Sequence, residues 1–89
     1  MSNTVKHVSV MDLDFESVAR LNDQNVLQRF QFVRRTSKKN GIPKTLNSNA
    51  YKVVRDAQAV TIHFLLFDRE KNIERETFRF SFVPAPRFA

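Results

Sequence analysis

Three phenylalanines alternate with polar residues late in the sequence. In the segment IERETFRFSFV, Phe78, Phe80 and Phe82 are separated by Arg79 and Ser81. Successive side chains of a β-strand point to opposite faces, so this pattern predicts a strand with one apolar and one polar face. Such a strand needs partner strands and a layer that covers its Phe side. The chain must therefore build a sheet.

The chain of 89 residues is predicted to form one domain, residues 1–89. A domain of this size buries only about 60% of the surface of its unfolded chain, so it is marginally stable on its own. We therefore expect a homodimer or a larger homo-oligomer.

Other segments predict the remaining elements. Alternating apolar residues predict strands over residues 5–10, 50–55 and 59–67, and also over 25–35, where Val26, Phe30 and Phe32 would share a face. Asp14 is predicted to cap a short helix over residues 15–22. The predicted fold class is α+β or mainly β, with a short N-terminal strand and helix followed by an antiparallel meander of about four strands.

The polar side of this sheet is predicted from the same alternation. A one-residue bulge would invert part of the assignment. The expected residues are Arg29, Gln31, Thr61, His63, Arg75, Thr77, Arg79 and Ser81.

The net charge of +6 is concentrated in one part of the chain. Residues 24–55 contain every excess cation and no acidic residue, and like charges crowded in this way favour a polyanionic partner. We therefore predict binding to RNA or single-stranded DNA. The basic residues of this segment are Arg29, Arg34, Arg35, Lys38, Lys39, Lys44, Lys52 and Arg55.

The segment RRTSKKNGIPK is predicted to be a basic β-hairpin, since Asn40-Gly41 is typical of a turn. Arg34, Arg35, Lys38, Lys39 and Lys44 would supply contacts from this loop to phosphates. Arg29, Lys52, Arg55 and Arg79 would line the sheet. A solvated loop that prevents aggregation is the alternative interpretation.

Catalytic and metal-binding patterns are missing from the sequence. There is no cysteine, no nucleophile motif and no zinc motif, so we predict a protein that is not an enzyme and has no cofactor or metal. The acids Asp12, Asp14 and Glu16 are interpreted as helix-start residues, and His63 as a packed or hydrogen-bonded strand residue. With no apolar run of membrane-spanning length and no signal-peptide pattern, the expected location is the cytoplasm.

A second function class remains open. In it, the chain is a structural or protein-interaction module that oligomerises through its Phe-rich strands and binds an acidic protein partner. The segment 73–83 would then be an edge strand that pairs with another copy.

Two families have similar segments. The stretches RFQFVRRTSKKNG, NAYKVV and ERETFRFSFVP resemble the sheet of coat proteins from small single-stranded RNA bacteriophages. This resemblance implies interlocked dimers whose continuous antiparallel sheet binds RNA on one face. Its RNA-facing positions would be Arg29, Gln31, Thr61, Arg75, Thr77 and Arg79.

The stretch QFVRRTSKKNGIPKTLN is similar to the DNA-binding wing of filamentous-phage single-stranded DNA-binding proteins. Such wings are basic hairpins with a Gly-x-Pro motif, which here is Gly41-Ile42-Pro43. Both resemblances imply a phage-type protein that binds nucleic acid, and they add a virion to the cytoplasm as an expected location.

Overall fold

A computed structural model describes residues 5–36, 41–43, 46, 50–68, 70 and 73–86. Its elements in chain order are β1 (Lys6–Asp12), α1 (Phe15–Arg20), α2 (Asp23–Thr36), β2 (Tyr51–Arg55), β3 (Val60–Asp68) and β4 (Ile73–Pro84). The strands form one sheet in the order β1-β4-β3-β2. Strands β2, β3 and β4 are antiparallel to their neighbours, whereas β1 is parallel to β4. The α+β class is confirmed.

Most of the predicted elements are present. The early strand and helix and the three later strands appear within two residues of their expected bounds. The antiparallel meander contains β2, β3 and β4, and the sheet reaches four strands because β1 joins it in parallel. Parallel strands need a long crossover connection, and here both helices and the other strands lie between β1 and β4.

The strand predicted over residues 25–35 is wrong, because this segment belongs to helix α2. The Asn22 side-chain Oδ1 accepts a hydrogen bond from the Asn25 backbone N–H at 2.8 Å, which caps the start of the helix. Val26 and Phe30, four residues apart, are buried on one helix face, whereas Phe32 is 61% exposed. A strand would have placed Phe30 and Phe32 on the same side.

The predicted basic β-hairpin is wrong, because its first residues belong to α2. The element before the basic segment is therefore a helix and the element after it is β2, so the segment does not join two strands. Arg34 and Arg35 lie in the last turn of α2, where cations interact favourably with the helix dipole. Gly41 has a φ of 104° in a turn, which confirms the turn expected at this residue. Lys38, Lys39, Asn40 and Lys44 lie outside the described residues.

The two helices cover the Phe side of the sheet. The ring of Phe30 on α2 packs against Phe64, Phe78 and Phe80, with ring centroids 5.0, 6.4 and 4.8 Å away. The apolar core predicted from the alternation in β4 is confirmed. Strand β4 lies between β1 and β3, so its prediction as an edge strand is wrong. The sheet edges are β1 and β2.

Candidate nucleic-acid interface

The sheet has a face opposite α1 and α2, which we call the open face. The register of the four strands places one nitrogen-bearing side chain from each strand side by side across it. All four alternate with core-facing neighbours, which is why they share this face. We call this set the basic row; in spatial order it is His7 on β1, Arg79 on β4, His63 on β3 and Lys52 on β2.

A second row, two residues along each strand, carries hydroxyl groups. It contains Ser9, Ser81 and Thr61 in neighbouring register positions. Ser81 is only 3% exposed, and its Oγ lies 2.8 Å from Thr61 Oγ1 and 2.8 Å from His7 Nε2. The hydrogen bonds that join Thr61, Ser81 and His7 fix the polar groups of three strands relative to one another.

Glu76 also lies on the open face, because of a β-bulge. Phe64 pairs with Phe78, but Leu65 pairs with Glu76, so β4 has one extra residue, Thr77, at this point. A bulge inverts the alternation on its far side. It therefore brings Glu76 to the open face, and it moves Arg75, which pairs with Leu66, to the other side, so the predicted position of Arg75 is wrong.

Glu76 binds two members of the basic row. Its Oε1 and Oε2 accept hydrogen bonds from Arg79 Nε and Nη2, both at 2.8 Å, and Oε1 lies 2.6 Å from His63 Nδ1. The two bonds from Arg79, followed by the contact with His63, lower the pKa of Glu76 from 4.5 to about 2, against the opposing effect of burial. The same pair raises the pKa of Arg79. The prediction that His63 is a hydrogen-bonded strand residue is confirmed.

The contact between His7 and Ser81 pairs the residue types of a catalytic nucleophile and its base, but the neighbouring groups that such a catalytic site requires are not present around it in the part of the chain that the structure describes. Ser81 is almost fully buried, and among the described residues His7 has no carboxylate partner to orient it. Ser81 lies within a strand paired on both sides, where backbone N–H groups are engaged in the ladder. The arrangement therefore lacks the parts of an acyl-transfer site. The protein's lack of enzyme activity stays a prediction.

Two of the predicted contact residues, Lys52 and Arg79, lie on the open face. Lys52 is exposed and has no ion pair with a described residue. Thr61, His63 and Ser81 also take their predicted positions on this face.

Two other predicted contact residues are held by acids on the helix side of the sheet. Arg29, expected on a strand, lies on α2 and donates from Nε and Nη2 to Asp12 at 2.8 and 2.9 Å. Arg55 is three residues from Lys52 and so faces the other way; its Nη1 lies 2.8 Å from Asp23 Oδ1. Its Nη2 donates to the Leu21 carbonyl at 2.7 Å.

The cations of residues 24–55 therefore do not form one surface within the described part of the chain. Arg29 and Arg55 are ion-paired, Lys52 is on the open face, and Arg34 and Arg35 are at the end of α2. Gln31 is also on α2, so its prediction on the sheet is wrong. Thr77 is at the bulge, where its hydroxyl donates to the Phe64 carbonyl at 3.2 Å.

Of the three acids expected at the start of the first helix, Asp14 and Glu16 lie there, whereas Asp12 lies on β1. The predicted cap is only partly present, because the Asp14 side chain makes no capping hydrogen bond to the helix backbone. Asp14 occupies the position before α1, and its Oδ1 accepts a hydrogen bond from the Ser17 hydroxyl at 2.9 Å. The Asp12 carboxylate accepts from the Asp14 backbone N–H at 2.9 Å in addition to binding Arg29. In the described residues, no three His, Asp or Glu side chains are grouped closely enough to hold a metal ion.

Sequence reasoning missed several residues of this face, among them His7 and Glu76. His7 reaches Ser81, 74 positions away, because β1 pairs with β4, and no local signal in the sequence gives that pairing. Glu76 depends on the bulge, whose position is not marked by a glycine or proline.

Comparisons with protein-family models, curated proteins and solved structures found no match to this chain. The resemblances to phage coat proteins and to single-stranded DNA-binding proteins therefore stay predictions. Of the described residues, none form a helix with the length and apolar character required to cross a bilayer.

Proposed function

We propose that the protein is a non-catalytic nucleic-acid-binding protein that holds RNA or single-stranded DNA on the open face. The observation that carries this proposal is the basic row, which crosses all four strands on the side of the sheet that the helices leave uncovered. Neighbouring strands lie about 4.8 Å apart, so the row extends roughly 14 Å. A phosphodiester backbone that crosses the strands meets a nitrogen-bearing side chain at each of them.

The hydroxyl row supports contacts to the nucleic-acid backbone. In complexes of proteins with nucleic acids, Lys, Arg, Ser and Thr side chains commonly donate hydrogen bonds to phosphate and sugar oxygens, and such contacts position a strand without selecting its sequence. Thr61 and Ser9 lie beside the basic row and are suited to this role.

One exposed aromatic ring adds a place for a base. Continued alternation beyond Leu65 brings Phe67, which is 49% exposed, to the same side of the sheet as the basic row. Base stacking on exposed rings is common in proteins that bind single strands. Tyr51 pairs with Phe64 on the core side of the sheet and packs against the core.

The first test compares two charge-removing variants on the same strand. Lys52→Gln removes a cation of the open face, whereas Arg55→Gln removes one that points to the helix side. With two to four phosphate contacts, log K for a fluorescent oligonucleotide falls with log salt at a slope between about −1.4 and −3.6. We expect Lys52→Gln to weaken binding and to make this slope shallower by about 0.7 to 0.9, with Arg55→Gln close to wild type.

Equal losses in the two variants would mean that only net charge matters, and no binding by wild type at low salt would reject the proposal.

Replacement of Lys38, Lys39 and Lys44 together by Ala tests the segment between α2 and β2. We expect weaker binding across sequences with the fold intact. Unfolding of this variant would mean that these lysines are structural.

The alternative function, binding of an acidic protein partner, is separated from the first by purification without nuclease. Co-purifying nucleic acid, detected from the ratio of absorbance at 260 and 280 nm, favours nucleic-acid binding, and the chain's one Tyr and no Trp make small amounts visible. Light scattering on the same sample tests the proposed homo-oligomer. Phe78, Phe80 and Phe82 are buried in the chain's own core, so a second copy would have to use other surfaces.

A further inference from the structure

The basic row contains its own competing anion. Both oxygens of Glu76 lie against Arg79, which is the two-pronged geometry in which a guanidinium group also binds a phosphate. The Glu76 side chain is 21% exposed and that of Arg79 38% exposed, so solvent reaches the pair. A phosphate that approaches Arg79 therefore meets a guanidinium group whose best donors are already in use.

The charge of the open face depends on its two histidines. With both imidazoles neutral, Glu76 cancels Arg79 and leaves Lys52 as the one uncompensated charge of the basic row. Protonation of His63 and His7 adds two positive charges to the same row. His63 is the neighbour that competes with Arg79 for Glu76, since its Nδ1 lies 2.6 Å from the Oε1 that Arg79 Nε also contacts.

We propose that Glu76 acts as an internal substitute for phosphate, and that protonation of His63 and His7 turns the basic row into a strong anion-binding surface. The protonated His63 takes a larger share of the Glu76 carboxylate and so releases Arg79 toward the ligand. His7, hydrogen-bonded through Nε2 to Ser81, adds its charge at the β1 end of the row. This inference rests on the proposed function and names how the same face is regulated.

The charged groups that face the two imidazoles come from every strand of the sheet. The cations beside His63 in register are Lys52 on β2 and Arg79 on β4, and the anion in contact with it is Glu76. His7 on the edge strand β1 faces Arg79 in register and Ser81 by hydrogen bond. Glu76 stays ionised throughout the range in which histidine side chains titrate, because its pKa is about 2. Among the side-chain types of the basic row and Glu76, imidazole is the one that ordinarily changes charge between about pH 8 and pH 5.

The test measures binding of a labelled oligouridylate by fluorescence anisotropy between about pH 8 and pH 5. Wild type is expected to bind more tightly as the pH falls. Glu76→Gln is expected to bind roughly threefold to fivefold more tightly at neutral pH, the effect of one released surface cation. A variant with both His7→Gln and His63→Gln is expected to bind with little pH dependence. Glu16→Gln removes the same charge from exposed α1 and is the matched control.

The outcomes separate this inference from the proposed function. Failure of wild type to bind at every pH and salt concentration rejects nucleic-acid binding itself. Normal binding in which Glu76→Gln matches wild type or Glu16→Gln, or in which the double histidine variant keeps the full pH dependence, rejects the regulation alone. If circular dichroism shows that Glu76→Gln is unfolded, the comparison of the pH dependence of wild type with that of the double histidine variant still tests the proposed regulation.

Discussion

Gly41 is the chain's one glycine, and its backbone conformation explains why it is a glycine. Its φ of 104° lies in the region that other L-residues avoid. A Cβ atom built at this position would lie 3.2 Å from Lys6 Cε and 3.4 Å from Val8 Cγ2. The end of the Lys6 side chain can move away from a new Cβ atom. The positive φ of Gly41, more than steric crowding, therefore determines how much stability a substitution costs.

Replacement Gly41→Ala is therefore expected to lower the free energy of unfolding by about 1 to 2 kcal/mol, measured by urea denaturation. Gly41→Asn introduces the same Cβ, but asparagine tolerates positive φ better, so it should cost less. Equal losses for Ala and Asn would indicate that contact with Lys6 and Val8, and not φ, dominates.

Glu76 makes stability depend on pH at the residue scale. Its pKa is lowered in the folded protein to about 2 from 4.5, so its stabilising contribution is complete above about pH 4.5 and is lost as the pH falls toward 2. Because Arg79 is 38% exposed, we expect a contribution of only about 1 kcal/mol.

The expected result is that Glu76→Gln loses about 0.5 kcal/mol less than wild type between about pH 6 and pH 3, because somewhat more than half of the contribution of Glu76 is lost over that range. Urea denaturation at the two pH values measures this difference. Parallel losses in the two proteins would show that the bonds from Arg79 and His63 add nothing to stability.

At the scale of elements, the residues of α2 fit two different secondary structures. Its apolar positions fit a strand through Val26, Phe30 and Phe32, and a helix through Val26, Phe30 and Val33. Asn22 and Asp23 at the start and Arg34 and Arg35 at the end are typical of helix boundaries, and these signals favour the observed answer.

Two phenylalanines on this element test the assignment. Phe30→Ala removes a side chain that is 1% exposed and packs on three rings, so it should cost about 3 to 5 kcal/mol in unfolding free energy. Phe32→Ala, at a 61% exposed position, should cost less than about 1 kcal/mol. Similar costs in urea denaturation would contradict the helix, because a strand would bury both rings on one face.

The strands were more predictable than the site. Alternation in β3 and β4 is enough to assign Phe64, Phe78 and Phe80 to the core, and Thr61 and His63 to the open face, because each strand has one covered side. Beyond the bulge at Thr77, simple alternation along β4 no longer predicts which face a side chain occupies. Local patterns do not tell where an extra residue enters a ladder, so Glu76 could not be placed next to Arg79 in advance.

At the scale of the whole molecule, a run of like charge in the sequence did not become one charged surface among the residues that the structure describes. The acids that bind Arg29 and Arg55 come from residues 12 and 23, outside the basic segment. The alternation of faces then separates Lys52 from Arg55. Charge counting along the chain pointed to a polyanionic partner, but only the pairing of the strands brought Lys52, His63, Arg79 and His7 into one row.

The parallel pairing of β1 with β4 also has a consequence during synthesis. His7 and Ser81 are 74 positions apart, and β1 has no partner strand until β4 has left the ribosome. Val8, which is buried in the finished core, is exposed to solvent or to chaperones during that interval. The sheet is therefore completed only after β4 has been synthesised, and pauses before residue 78 would prolong the period in which the nascent chain is prone to aggregate.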